Sequence, residues 1–363
     1  MKEGDGIQVS VRIRPLNAKE VGADQTIGWE FNDTAILETS AAGTKTYTYD
    51  HVFAPGITNE AVYECVGKPI LQKAMNGFNG CIFSYGQTGS GKTWSMMGCP
   101  EDPGITKRCV DDIFIHIARE KTRNSEIQFT LRVSYLEVYN EEINDLLNDD
   151  HEKGRNLRIT SDDPNKGGVQ IGGLTEKECD NATDILGVIE QGEKNRSYGA
   201  TEMNANSSRS HTLYRLFIES SEEVEVDAAG ASEFRSVAAS KGGGPTTKPV
   251  IKTSYLNLVD LAGSERQKST GAKGSQLKEG ANINKSLLTL GSVIQKLGEQ
   301  SKAAESGAKP SKKGNFIPYR DSKLTRILKQ SLGGNSVTSI LCAMVGTCKN
   351  INSERCCARH PPH

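Results

Sequence analysis

Residues 81–93, CIFSYGQTGSGKT, constrain the fold of this 363-residue chain more tightly than any other stretch. Gly86–Thr93 fits the pattern GxxxxGK[ST] at every fixed position, and a short apolar strand, residues 81–85, runs straight into it. The chemistry requires that order. The glycines let successive backbone N–H groups turn inward around phosphate oxygens, and the helix that follows adds the positive end of its dipole. Gly86, Gln87, Thr88, Gly89, Ser90 and Gly91 would form the cradle. Lys92 would neutralise the β and γ phosphates, and the Thr93 hydroxyl would ligate Mg²⁺. The alternative is a glycine turn that holds nothing, and the buried strand in front of it argues against that.

A phosphate cradle only binds. Hydrolysis or switching needs groups that sense the γ phosphate and place a water on it, and two later segments carry such groups. DLAGSE, residues 260–265, follows the apolar strand SYLNLV. Asp260 stands there as a carboxylate behind the metal, and the Gly263 N–H is available to the γ phosphate. NANSSRSH, residues 204–211, brings Asn204, Ser207, Ser208 and Arg209 together within eight residues. By itself a serine-rich stretch reads as a polar turn; in company with the other two motifs it reads as part of the site.

The remaining pattern is that of an interleaved α/β chain. An alternating strand opens at Ile7–Arg14 and ends at Pro15, which cannot donate to a ladder. AVYECVGKPILQKAMNG, residues 61–77, reads as a helix, and 127–139, 211–218 and 251–259 read as strands. From Ile283 the apolar positions Ile283, Leu287, Leu290, Ile294 and Leu297 recur every three or four residues, which predicts a long helix with one buried face. Two stretches read as surface loops: about 220–249, which contains SKGGGPTTKP, and about 299–315, which contains Lys302, Lys309, Lys312 and Lys313. No linker separates two cores, so one domain is expected.

Composition removes several function classes. The net charge of −1 excludes a basic polymer binder of the histone kind, and no nucleic-acid partner is expected. No apolar run approaches the ~18 residues of a membrane span. The opening MKEGDGIQVSVRIRP has acid and glycine where a signal peptide is apolar, so export is not expected. The 9 cysteines include no CxxC pair and fit free thiols in a reducing compartment. Cys356, Cys357 and His360 lack the second ligand pair of a structural metal site.

In the order GQTGSGKT, NANSSRSH, DLAGSE, the chain resembles the kinesin motor domain. The likeness extends to VRIRPLN near the start, SYLEVYNEEINDLL at 134–147, LKEGANINKSLLTLG at 277–291 and FIPYRDSKLTRIL at 316–328. A myosin-type motor shares the three-motif logic but has no place for the last of these. Among kinesins, GKTWSMMG, GEKNRSYGATEMN and LKEGANIN look most like the centromere-associated, plus-end-directed group, family seven. The resemblance implies an α/β, P-loop NTPase-like kinesin motor fold, with a central mostly parallel-to-mixed β-sheet flanked by helices on both faces. The motor domain would span 1–349, with its core at 7–346.

The resemblance also assigns roles. ATP or ADP with Mg would be the ligands. Ser208 and Asp260 would hold Mg²⁺ through water, and Arg209 would pair with Glu265 when the two switch loops close. Ser207 and Asn204 would position the attacking water and the γ phosphate. Arg14 and Pro15 would lie against the adenine, with Trp94 near the base; a plain core aromatic is the other reading of Trp94. Asn284 would link the long helix to the nucleotide end, or simply cap it. Acidic tubulin would be met by Arg266, Lys268, Lys273, Lys285, Arg320, Lys323 and Arg326, with the lysines of 302–313 as a cationic arm beside them. Residues 266–326 hold 13 Lys and Arg against 4 Asp and Glu, a net of +9, which leaves 31 against 41, a net of −10, for the rest.

The expected function is a microtubule-stimulated Mg-ATPase in the cytoplasm and on the cytoskeleton, the spindle among its locations, and plus-end directed in the full-length protein. After SVTSILCAMVG the family continues into a last helix and a neck linker, but TCKNINSERCCARHPPH carries no apolar spacing, and residues 350–363 stay unassigned. No heptad run is present, so this chain is expected to be monomeric, with dimerisation left to the full-length protein. The alternative is a non-motile, nucleotide-binding and microtubule-binding module.

Overall fold

The structure, a computed structural model, describes residues 7–40, 43–163, 168–203, 207–226, 246–265, 275–305, 316–333 and 336–346. Among these residues nine strands form the main sheet: β1 (Ile7–Arg14), β2 (His51–Phe53), β3 (Asn79–Tyr85), β4 (Gln128–Tyr139), β5 (Glu142–Asp145), β6 (Lys177–Glu178), β7 (His211–Val226), β8 (Thr246–Asp260) and β9 (Ser336–Val345). Their order is β6–β4–β7–β8–β3–β9–β1–β2, with β5 paired to β4. From β8 to β2 neighbours run parallel, whereas from β8 to β6 they run antiparallel. The sheet is mixed, as expected.

Period-two alternation decides which side chains meet which helices. On β3, Ile82 faces one core and Cys81 and Phe83 face the other. The first core packs against α1 (Lys68–Met75), α2 (Lys92–Met96), α3 (Ile105–Arg123) and α4 (Ala182–Met203). The second packs against α5 (Ser275–Glu305), α6 (Lys323–Ile327) and α7 (Lys329–Leu332). Because β3 sits between β8 and β9 and is buried on both faces, its C-terminal end is a fixed platform for the glycine-rich loop.

Three boundaries are corrected. The stretch 220–249, expected as loop, is strand at both ends: β7 and β8 stay in register from Thr212↔Asp260 out to Val226↔Thr246. Thr246, Thr247, Lys248 and Val250 and the SSEEVEV run at 220–226 suit a ladder, in which Pro249 stands opposite Glu223 without donating, and the glycine-rich middle at 227–245 lies outside the described residues. The stretch 299–315, also expected as loop, is helical as far as Glu305. α5 likewise begins at Ser275, eight residues before the apolar repeat that revealed it. The sequence reading missed α3, although Ile105, Cys109, Ile113 and Ile117 are all buried at four-residue spacing.

Candidate functional site

The glycine-rich loop leaves β3 through Gly86, whose φ of +151° is one that few side chains adopt, and a Cβ there would overlap the Ala343 carbonyl oxygen of β9. Gly91, at φ +99°, turns the chain into α2. Lys92, at the start of α2, is only 7% exposed and folds back, its Nζ donating to the carbonyl oxygens of Gly86 at 2.9 Å and Gln87 at 3.0 Å. Ser90 Oγ is buried with no hydrogen-bond partner among the described residues.

DLAGSE is drawn against this loop by a set of bonds. Thr93 Oγ1 donates to Asp260 Oδ2 at 2.6 Å, and Ser84 Oγ donates to the other oxygen, Oδ1, at 3.0 Å. The Ser264 N–H donates to the Gly86 carbonyl at 3.1 Å. Thr88 donates twice to Glu265, from its N–H at 2.9 Å and from Oγ1 at 2.5 Å. The serine-rich segment joins through a short turn, Ser207–Arg209, where the Ser208 carbonyl accepts from the Gly263 N–H at 2.8 Å. The three motifs, spread over residues 86–265, therefore meet at one end of the sheet. In this geometry Glu265 is engaged by Thr88. Asn204 lies outside the described residues, and Ser207 is described through its backbone alone.

The residues fit a phosphate and a hard cation. A hydroxyl and a carboxylate oxygen 2.6 Å apart, with a lysine amine on the same loop, is a donor set for Mg²⁺ completed by phosphates and water. The Ser90 hydroxyl, without a partner among the described residues, is a further polar group of the loop. Among the described residues no cluster of three or more His, Cys, Asp or Glu forms a cage for any other metal. Cys356, Cys357 and His360 lie outside the described residues.

Arg14 closes the far side of the loop. Its Nε donates to the Gly89 carbonyl at 2.7 Å, and Nη1 and Nη2 grip the Glu20 carboxylate at 2.7 and 2.6 Å. Pro15 follows directly, and its carbonyl accepts from Arg14 Nη1 at 2.8 Å. Trp94 is 46% exposed on α2, which rules out the core-aromatic reading.

Two residues that the sequence reading passed over hold the site in place. Arg12, 8% exposed, donates to Asn59 Oδ1, to Ser95 Oγ at 2.9 Å and to the Ile57 carbonyl at 2.8 Å, so a buried guanidinium braces α2 from beneath. Burial lowers its pKa, and the charge of Asp102 works the other way. His211, at the start of β7, is 2% exposed. Its Nδ1 accepts from the Ala262 N–H at 3.0 Å, so the ring hydrogen sits on Nε2, which meets Ser286 Oγ of α5 at 2.7 Å. Burial, then the charges of Lys92 and Arg196, push its pKa down to about 3. His211 closes the NANSSRSH motif, but nothing in its spacing shows that its ring reaches Ala262 and Ser286.

The model of the kinesin motor domain matches residues 12–359. The chain belongs to the kinesin motor domain family. Centromere-associated protein E of Homo sapiens is 42% identical to this kinesin over 346 residues, covering 95% of the chain and 11% of that protein. Kinesin-like protein KIN-7N of Arabidopsis thaliana is 43% identical over 345 residues, covering 93% of the chain and 36% of that protein. The chain thus spans well under half the length of these two relatives. Among solved structures, a KIF14 dimer in a two-heads-bound state with AMP-PNP, in complex with a microtubule, superposes with a TM-score of 0.79 at 36% identity, covering 98% of this chain and 92% of that one. KIF14 with ADP in complex with a microtubule gives 0.77 at 34%.

Of the expected basic constellation, the described members Lys285, Arg320, Lys323 and Arg326 lie on α5, on α6 and on the turn before α6. Lys285 is exposed on α5 and, with Leu288, Thr289, Ser292, Pro318 and Asp321, lines an open groove beside the turn that carries Arg320. Lys323 and Arg326 are on α6, half-buried, and Arg320 is exposed. A capping residue unrecognised in the sequence sets α6: Glu141, at φ +62°, accepts from Ser322 Oγ at 2.7 Å and from the Lys323 N–H at 2.8 Å. Arg266, Lys268 and Lys273 lie outside the described residues, as do Lys309, Lys312 and Lys313; the side chains of Lys302 and Asn284 are not described.

Proposed function

We propose that this kinesin hydrolyses ATP with Mg²⁺ and that microtubules stimulate the reaction. The observation that carries the reading is the convergence of three chain segments on the Gly86–Thr93 loop, with Thr93 and Asp260 in contact at 2.6 Å. The substrate phosphates would take the place of the two loop carbonyls on Lys92. Thr93 would ligate the metal directly, and Asp260 and Ser208 would hold it through water; Mg²⁺, when bound, draws charge off the phosphate oxygens. The Gly263 N–H, which the Ser208 carbonyl now occupies, is the donor aimed at the γ phosphate. Glu265 would leave Thr88 to pair with Arg209, an exchange of one charge-assisted contact for another that marks the closed loop geometry. Ser207 and Asn204 would then hold the water. Catalysis of this kind works by placement and charge, with no covalent intermediate.

Arg14, Pro15 and the exposed Trp94 would take the adenine. The basic face, from Arg266 to Arg326, would take tubulin, and the net +9 of this segment against −10 elsewhere would orient the domain on an acidic filament. Both KIF14 structures are microtubule complexes with nucleotide, which supports the pairing of ligand and partner. Plus-end-directed movement by the full-length protein, on cytoskeletal and spindle microtubules, is the further step that the resemblance to the centromere-associated group implies. The non-motile alternative rested on residues 350–363, which lie outside the described residues, and no comparison favours it. Steady-state ATP turnover with and without polymerised tubulin tests the reading: a rise of at least tenfold is expected. Tight filament binding with no turnover would reject it.

A further inference from the structure

His211 is a buried titratable group whose ring bonds the DLAGSE segment, and the mechanism above does not use it. One ring joins two elements that no other described side-chain hydrogen bond connects. Nδ1 receives the Ala262 N–H, one residue before the Gly263 amide aimed at the γ phosphate, and Nε2 reaches Ser286 on α5. Ser286 is 2% exposed and sits between Lys285, exposed on the basic face, and Leu287, buried in the second core. The same stretch of β7 follows the turn whose Ser208 carbonyl holds Gly263. The path from α5 to the Ala262 backbone thus consists of one short hydroxyl side chain, Ser286, and one rigid planar ring.

We propose that His211 is a positioning residue that transmits the seat of α5 on its filament to the Ala262–Gly263 backbone, and so sets how far the filament accelerates ATP hydrolysis. It touches neither nucleotide nor metal. This rests on the reading of the chain as a microtubule-stimulated ATPase. An ordinary core histidine would satisfy the Ala262 amide and do nothing more; the bond to a different, filament-facing element is what sets His211 apart.

The two ring nitrogens can be tested separately. His211→Asn keeps an acceptor near the Nδ1 position and loses the reach to Ser286, and Ser286→Ala removes the acceptor on α5 while leaving the imidazole intact. With each variant shown to fold by a cooperative melt, turnover is measured at rising concentrations of polymerised tubulin. Ser286→Ala is expected to keep basal turnover and filament affinity within twofold, and to lower the filament-stimulated maximal rate by fivefold or more. His211→Asn should match it, and combining the two should add nothing further. Full stimulation in both variants overturns the proposal, and so does an equal fall in basal and stimulated rates. A wild-type chain that filaments fail to stimulate overturns the functional reading beneath it, a result the variants cannot mimic. The wild-type chain carries a second readout if the variants unfold. Filament binding should change hydrogen exchange at the Ala262 amide together with the α5 amides around 286, and a change on α5 alone would also overturn the proposal.

Discussion

At the phosphate loop the polar groups are held by other parts of the protein: Thr93 and Ser84 by Asp260, Thr88 by Glu265, Arg14 by Glu20 and the Gly89 carbonyl. On the basic face Lys285 and Arg320 stand in solvent, and Leu288, on the same groove as Lys285, is 68% exposed. Geometry does the selecting in the first region, since the loop must approach Ala343 without a Cβ and place a lysine and a hydroxyl one residue apart. On the proposed filament face summed charge would do it, with several cations sharing one task and each worth little. Single substitutions should therefore be severe at one end and mild at the other.

The largest effect is expected for Lys92→Ala, which removes the one ammonium on the loop; filament-stimulated turnover should fall about 10²- to 10³-fold, read by steady-state kinetics. Survival of more than a tenth of the activity would break the contrast. Gly86→Ala comes next, because it both strains the backbone and strikes the Ala343 carbonyl. It should lower folding stability by about 3 kcal/mol, measured by denaturant unfolding.

A third effect belongs to His211, which lies between the regions. Its folded pKa of about 3 is below the ordinary ~6.5, so the unfolded chain takes up the proton first as pH falls. The stabilisation is complete above pH ~6.5 and is lost progressively toward pH ~3. Between pH 7 and 5.5 the wild-type chain should lose about 1 kcal/mol more stability than His211→Asn, and identical losses would show that the ring is not held neutral by its burial and by Lys92 and Arg196. Smallest is Lys285→Ala: filament affinity should fall two- to threefold, about 0.5 kcal/mol, with a shallower dependence on salt. A hundredfold loss would show that the basic face, too, works through one precise contact.

The same contrast explains what could be read from the sequence. GQTGSGKT and DLAGSE were legible because close approach and phosphate chemistry admit few residue types at each position, and the structure brings the two together as their order implied. The buried strands were legible from apolar runs, and α5 from its repeat. The ends of the β7–β8 hairpin were hidden, because a ladder of Ser, Glu, Thr and Lys exposed to solvent has the composition of a loop. Arg12, Glu141 and His211 were hidden for a different reason. Each acts on a partner far along the chain, Asn59 and Ser95, Ser322, and Ala262 with Ser286, and no local spacing marks such a contact.

The central claim is that the two regions are coupled, and coupling is reciprocal: if filaments alter the nucleotide site, nucleotide must alter filament affinity. Co-sedimentation with microtubules in a non-hydrolysable ATP analogue and in ADP measures this directly. Affinity in the two states should differ by at least about fivefold, with the analogue state the tighter. Equal affinities would contradict it.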